Sequence, residues 1–364
     1  MTAPRSPVAV DAMGTDRAPS AEIEGVVTAV RERGAPVILV GDETNLRAEL
    51  RRLGALALPI EVRHASQVVT MHDAPATVVR KKTDASMRVC FDLVKRGEAA
   101  AVVSAGNSGA MLACGLFVLK RLKGIERPAI VTTFPTPAGP CALLDMGANV
   151  DCKPSTLAQF AVLGTVYSRL LHGKARPRVG LLSNGEEEHK GTDLTRGAHH
   201  LLERAAGLGA DFEYVGYVEG RDIFGGADVV VTDGFTGNVV LKTVEGAAAA
   251  IFALLKQEVG RSRLAQAGAL LMQPAFRGLK RLMDYTEYGG APLLGVDGIA
   301  MVCHGSSNAK AIKNAVFAAG RFVDLGLRPR LSEAITRHRA LWEPAAAGAA
   351  PADAGAAPGA GRTL

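Results

Sequence analysis

What most restricts this chain is a repeated alternation: a short apolar run rich in β-branched residues, a polar turn, then a segment of helical periodicity. It recurs as "PVAVDAMGTDRAPSAEIEGVVTAV", "PVILVGDETNLRAELRRL" and "AAAVVSAGNSGAMLACGLFVLKRL". It continues as "CALLDMGANVDCKPSTLAQFAVLGTVYSRLL", "RVGLLSNGEEEHKGTDLTRGAHHLL" and "ADVVVTDGFTGNVVLKTVEGAAAAIFALLK". The strand runs are too apolar for a one-sided sheet, so helices must cover both faces. The alternation predicts right-handed crossovers and a doubly wound, mostly parallel sheet in a three-layer αβα arrangement. Ligands bind such sheets beyond the carboxyl ends of the strands, and the polar turns are expected to gather at one edge there.

The 364 residues suffice for a large core, and residues 1–342 read as a single α/β domain. An Ala/Gly/Pro-rich segment, 343–364, reads as a disordered tail, because it has too little apolar bulk to pack. A net charge of +6 with only 5% aromatic residues, none interleaved with basic stretches, argues against nucleic acid as a partner. Five cysteines without a CxxC pair argue against a disulfide framework or zinc site and for a reducing, cytoplasmic setting. The N-terminal stretch enters a strand almost at once, so no signal peptide is expected. No uninterrupted apolar run approaches the ~20 residues of a spanning helix.

Residues 254–285 break the alternation. Pro274 should divide two helical segments, the second placing Phe276, Leu279, Leu282 and Met283 opposite Arg277, Lys280 and Arg281. This reads either as a surface helix or oligomer contact, or as a basic amphipathic hairpin that lies on a bilayer. Leu270, Leu271, Met272 and Phe276 are its candidate membrane or dimer contacts.

Two turns are built for an anion. In "VVSAGNSGAM" a strand ends near Ser104 and a helix begins near Gly109. Gly106 and Gly109 admit a ligand, Ser104, Asn107 and Ser108 add donors, and the helix N-terminus adds unpaired N–H groups. In "TDGFTGNVVLK", Asp233, Thr236, Gly237 and Asn238 form a second turn of like design. Neither matches a P-loop or a GxGxxG fingerprint, so a phosphate-sized group fits better than a nucleotide. Lys190, beside Gly191 in "NGEEEHKGTDL", is a candidate counter-charge for phosphate or an oxyanion, and His304 in "VCHGSSNAKAI" a candidate proton donor or anion ligand. Glu186–Glu188 read as an outward, solvated face, and the basic run Arg80–Lys82 as solvated. There is no GxSxG elbow and no cysteine in a nucleophile context. If the reaction is acyl transfer, the attacking group need not belong to the protein: phosphate is itself a competent nucleophile, and such an enzyme would need only to supply position and charge.

Taken together, "DAMGTD", "SAGNSGA", "GIERPA", "LLDMGANVD", "GEEEHKG", "DGFTGNVVLKT", "YGGAPLLG" and "HGSS" resemble the bacterial phosphate acyltransferases, from about Val8 to about Val323. Where family members read DAMGGDHAP, Thr15 and Arg17 stand in this chain. The resemblance implies a fold akin to phosphotransacetylases and the isocitrate dehydrogenase group, a homodimer, and no metal or nucleotide cofactor. It implies transfer of a fatty acyl chain from acyl carrier protein to inorganic phosphate, with the acyl phosphate passing to a membrane glycerol-3-phosphate acyltransferase. It places catalytic roles on Lys190, Asn238 and His304, and assigns the 254–285 segment to dimerisation and peripheral membrane contact. The alternative is a phosphotransacetylase-like enzyme using acyl-CoA.

Overall fold

A computed structural model of the chain describes residues 6–283, 285–287 and 289–343. Most of the tail, 344–364, lies outside the described residues, as do the side chains of Lys280, Arg281, Leu282 and Met283. The strands of the first half are β1 (Val8–Asp11), β2 (Val37–Gly41), β3 (Ile60–His64), β4 (Ala101–Ser104) and β5 (Ala129–Phe134). Those that follow are β6 (Cys141–Leu144), β7 (Arg178–Leu182), β8 (Glu213–Val218), β9 (Val229–Val231), β10 (Ala291–Leu294) and β11 (Ala300–Val302). Between them run α1 (Ser20–Arg33), α2 (Glu43–Arg52), α3 (Pro75–Lys81), α4 (Ser86–Lys95), α5 (Ser108–Cys114) and α6 (Pro154–His172). The later helices are α7 (Asp193–Glu203), α8 (Gly234–Gly260), α9 (Arg263–Leu271), α10 (Gln273–Met283), α11 (Ala309–Asp324) and α12 (Leu327–Arg337).

All six strand–turn–helix units of the sequence form, and every residue of β1, β2, β4 and β6 is buried. Pleating sends Val8 and Val10 into the core beneath α1 and α11, and Ala9 into the opposite core with Phe91 of α4. Helices therefore cover both faces, as the unalternating runs require.

The strands form one 11-stranded sheet in the order β3-β2-β1-β4-β11-β10-β5-β6-β9-β7-β8. Its two ends are parallel blocks, but β10 and β5 run antiparallel to their neighbours on both sides. The two blocks consequently point in opposite senses, so the turns after β4 and β9 do not share an edge as the alternation suggested. At about 20–25° per strand, the five steps from β4 to β9 rotate the strand direction by roughly 100–125°. Residues of both blocks line a common cleft of about 1700 Å³.

The 254–285 segment comprises the end of α8 with α9 and α10, and the break falls at Met272, leaving Pro274 in the first turn of α10. Among the described residues α8 alone is long and apolar enough to cross a membrane. Its continuity is interrupted by charge, however, since Lys242 and Glu245 pair on it at 2.8 Å.

Candidate active site

Each parallel block closes an apolar strand with a buried carboxylate that organises the turn in front of it. Asp11 ends β1, and its Oδ2 accepts the Ser104 hydroxyl at 2.7 Å while its Oδ1 accepts the Met13 N–H at 3.1 Å. Ser104 Oγ in turn accepts the Gly106 N–H at 3.1 Å. Burial pushes the Asp11 carboxyl above its ordinary range, against the hydrogen bonds from Ser104, Ser86 and Met13. Ser104 is only 1% exposed, with its hydroxyl hydrogen and one lone pair both committed. It thus shapes the turn and is not a donor to an anion. Gly14 brings the loop after β1 against this turn, for a Cβ there would lie 2.8 Å from the Gly106 nitrogen. Thr15 donates its N–H and hydroxyl to buried Glu22 at 2.7 and 3.0 Å. Burial raises Glu22 to about 7.

Asp145 is the counterpart, directly after β6. Its Oδ1 accepts the N–H groups of Ile130 and Ala148, at 3.0 and 3.1 Å. Its Oδ2 accepts the Asn149 N–H and side-chain amide, at 2.7 and 2.8 Å. Burial nevertheless holds its carboxyl above the usual range. The Asn149 carbonyl then receives the Gly234 N–H at 2.7 Å, tying this loop to the first turn of α8. A Cβ at Gly237 would fall 1.9 Å from the Asp145 carbonyl oxygen, so only glycine permits α8 to seat there.

The cleft sorts the expected ligands. Gly106, Ser108, His304, Gly305 and Ser306 line it from one block, and Met146, Gly147 and Asn238 from the other. Asn107 caps α5 by accepting the Ala110 N–H at 3.0 Å, and its amide donates to the Thr70, Met71 and Asp73 carbonyls. With its polar atoms so used, Asn107 anchors the 70–73 loop and is not a phosphate ligand. Gly109 meets Pro75 of α3 rather than the cleft. Asp233 caps α8 and accepts both the N–H and the hydroxyl of Thr236, at 2.9 and 2.8 Å. Those two residues and Gly237 build the helix start, and only Asn238 of that turn reaches the cleft wall.

His304 Nδ1 lies 3.2 Å from the Ser306 N–H, which can only donate, and 2.7 Å from the Ser306 hydroxyl. The neutral ring therefore carries its hydrogen on Nε2, where it can donate a hydrogen bond to an anion. Lys190 stands apart. Its loop follows β7, which β9 separates from β6, and Lys190 is not part of the cleft wall. That loop is braced by the Gly191 N–H donating to Asn184 at 2.9 Å. In the run Arg80–Lys82, Lys82 pairs with Asp73 at 2.6 Å.

Sequence reasoning passed over Asp11, Asp145 and Asn149, which hold the turns, and Asp16, which lines the cleft and donates its N–H to the Gly305 carbonyl. The available signal was an acidic residue closing each of two wholly apolar strands, "VAVD" and "CALLD". The described residues contain no cluster able to hold a metal ion.

The cysteines offer no thiolate. Burial raises Cys114, Cys141, Cys152 and Cys303 to about 12, and raises Cys90 well above its ordinary value. A cleft lined by the Gly106–Ser108 turn, the Asn238 amide and the His304 imidazole, but by no activated cysteine, suits chemistry in which a bound anion attacks.

The fold is shared with phosphotransacetylases of known structure. It superimposes on a phosphotransacetylase from Streptococcus pyogenes with a TM-score of 0.57, covering 88% of this chain and 94% of that one at 18% identity. The EutD phosphotransacetylase from Staphylococcus aureus gives 0.55 over the same shares at 16% identity. At such identities the likeness defines the fold. The family is defined by sequence: residues 7–330 match the model described as "Fatty acid synthesis protein". A phosphate acyltransferase from Geobacter sulfurreducens is 56% identical over 327 residues, 90% of this chain and 93% of its own. One from Geotalea uraniireducens is 56% identical over 336 residues, 92% and 96% respectively. The chain belongs to the phosphate acyltransferase family and is an acyltransferase.

Proposed function

We propose that the protein transfers a fatty acyl group from the thioester of acyl carrier protein to inorganic phosphate, and that the acyl phosphate goes on to glycerol-3-phosphate acylation. The observation that carries this reading is the convergence of the Gly106–Ser108 turn, His304 and Asn238 on one cleft in a protein whose cysteine thiols are all raised by burial. A phosphate oxygen attacks the thioester carbon, the carbonyl becomes a tetrahedral oxyanion, and the C–S bond breaks as the carbonyl reforms. The thiolate leaves and takes a proton to become the carrier's thiol. In this reading the turn and Asn238 cradle phosphate, and His304 orients it through the Nε2 hydrogen or, as the imidazolium formed by taking the proton that hydrogen phosphate releases on attack, returns that proton to the thiolate. Lys190, outside the cleft wall, takes no part in this scheme.

Two further expectations belong to this proposal. The chain works as a homodimer, and it touches a membrane from the cytoplasmic side, where the acyltransferase that consumes acyl phosphate resides. Support comes from a broad apolar surface: Leu264 and Leu271 are 84% and 85% exposed, and Leu270, Met272, Ile251 and Leu254 are also exposed. The five cysteines are free, in keeping with a reducing compartment.

The test is direct. Purified protein is incubated with long-chain acyl carrier protein and phosphate, and acyl phosphate is trapped with hydroxylamine. Phosphate-dependent hydroxamate from the carrier, and far less from acyl-CoA, is expected. Equal use of acyl-CoA would favour the phosphotransacetylase-like alternative, and a covalent acyl-protein intermediate would overturn attack by phosphate.

A further inference from the structure

The helix that presents Asn238 to the cleft continues well past it. Within the mostly exposed α8, Leu241, Val244, Ala248 and Phe252 are half-buried, at spacings of three, four and four, and all line the cleft that Asn238 lines. That is one face of an α-helix. Its first turns, Val240, Leu241 and Val244, pack against the core that contains Phe134 and Met146. Ala248 and Phe252 extend the same apolar stripe along the open cleft. At 1.5 Å per residue, Asn238 to Phe252 covers about 21 Å, long enough for an extended long-chain alkyl group.

We infer that this stripe of α8 is the floor of the groove that holds the substrate's acyl chain, running from the reacting carbonyl beside Asn238 to Phe252. The inference rests on the acyl transfer proposed above. Two other substrate parts fit less well. The pantetheine arm carries amides that need hydrogen-bond partners, which Leu241, Val244, Ala248 and Phe252 do not offer. Phosphate needs donors, and those sit at the other end, around Gly106 and His304. An unbranched alkyl chain needs only apolar walls. Lys242 and Glu245, the charged residues that α8 itself places on the cleft wall, pair with each other at 2.8 Å.

Burial of each methylene is worth about fourfold in affinity, so kcat/KM should climb with chain length until the groove is filled. The test compares butanoyl-, octanoyl-, palmitoyl- and stearoyl-acyl carrier protein on the wild type, Ala248→Trp and Phe252→Ala. Ala248→Trp should lower the palmitoyl-to-butanoyl ratio of kcat/KM by about tenfold or more, the scale on which pockets discriminate small differences in bulk. Phe252→Ala, which shortens the side chain at the distal end, should raise stearoyl relative to palmitoyl. A ratio is insensitive to partial unfolding, because every donor samples the same folded fraction. Unchanged ratios in both variants would overturn the groove while leaving acyl transfer standing, as would a change in oligomeric state with no change in ratio. If the wild type moved no acyl group to phosphate, the functional reading would fall and the groove with it.

Discussion

Ser104 stands between Asp11 and Gly106, giving its hydroxyl hydrogen to the buried carboxylate at 2.7 Å and taking the Gly106 N–H at 3.1 Å. One hydroxyl thereby fixes the path of the turn that faces the cleft. Its relation to Asp11 parallels that of Asn149 to Asp145, so each wall of the cleft hangs from a buried carboxylate set at the end of an apolar strand. The path of each turn is thus set by hydrogen bonds within the protein, the kind of preorganisation that electrostatic stabilisation of a developing charge requires.

Ser104→Ala removes the donor to Asp11 and leaves the Gly106 N–H without its acceptor. The expected cost is about 1–3 kcal/mol of stability, read from the urea midpoint. With the turn loosened, KM for phosphate should rise while KM for the acyl donor stays near the wild-type value. Equal shifts in both would count against a specific role in the phosphate turn.

Asp145→Asn places an amide among four N–H groups, so at least one donor loses its acceptor. Destabilisation of about 1–3 kcal/mol is expected. Because Asn149 connects this carboxylate to Gly234, hydrogen exchange should quicken in the first turn of α8 as well as in the 145–149 loop. Exchange confined to the loop would contradict that connection.

Glu22 should make stability depend on pH. Burial lifts its folded pKa from 4.5 to about 7, so the folded state prefers the acid. That contribution is complete below the unfolded value and is lost as pH rises through the folded one. Stability should fall by up to about 3 kcal/mol across this window. Glu22→Gln keeps the partners and removes the titration, so its melting temperature should vary less over the same range.

Among the residues on the cleft wall, Asn238→Ala and His304→Ala should each reduce turnover by about 10²–10³-fold with little change in thermal melting. Asn107→Ala should do the reverse. Its loss frees the 70–73 loop and an α5 cap, costing stability of about 1 kcal/mol with a smaller effect on rate. Steady-state kinetics and differential scanning calorimetry on the three variants check this division.

Leu271→Glu puts a charge on a side chain that is 85% exposed at the end of α9. Liposome flotation with anionic vesicles should show weaker association than for the wild type. Unchanged flotation would remove this helix from any membrane contact.

The six strand–turn–helix units were legible because each depends on local periodicity and on turn residues within a few positions. The family motifs were legible for the same reason. What could not be read was which polar atoms of a turn are left for a ligand. "SAGNSGA" and "DGFTGN" look like sets of donors, yet Ser104, Asn107, Asp233 and Thr236 spend those groups on Asp11, the 70–73 loop and each other. Their partners include residues 93 and 36 positions away. Spacing along the chain carries no record of such distant pairs.

Local sequence, then, dictated the elements, their buried faces and the chemical types gathered in the turns, since hydrophobic period and helix capping act over one or two turns of chain. Only the assembled sheet decided that β10 and β5 would reverse direction and that residues of two opposed blocks would line one cleft. It also decided that Asn238 and His304 would face that cleft while Lys190 would not. The reason is physical: strand order and twist are set by packing between segments hundreds of residues apart, and a side chain's availability depends on which distant atoms satisfy its neighbours.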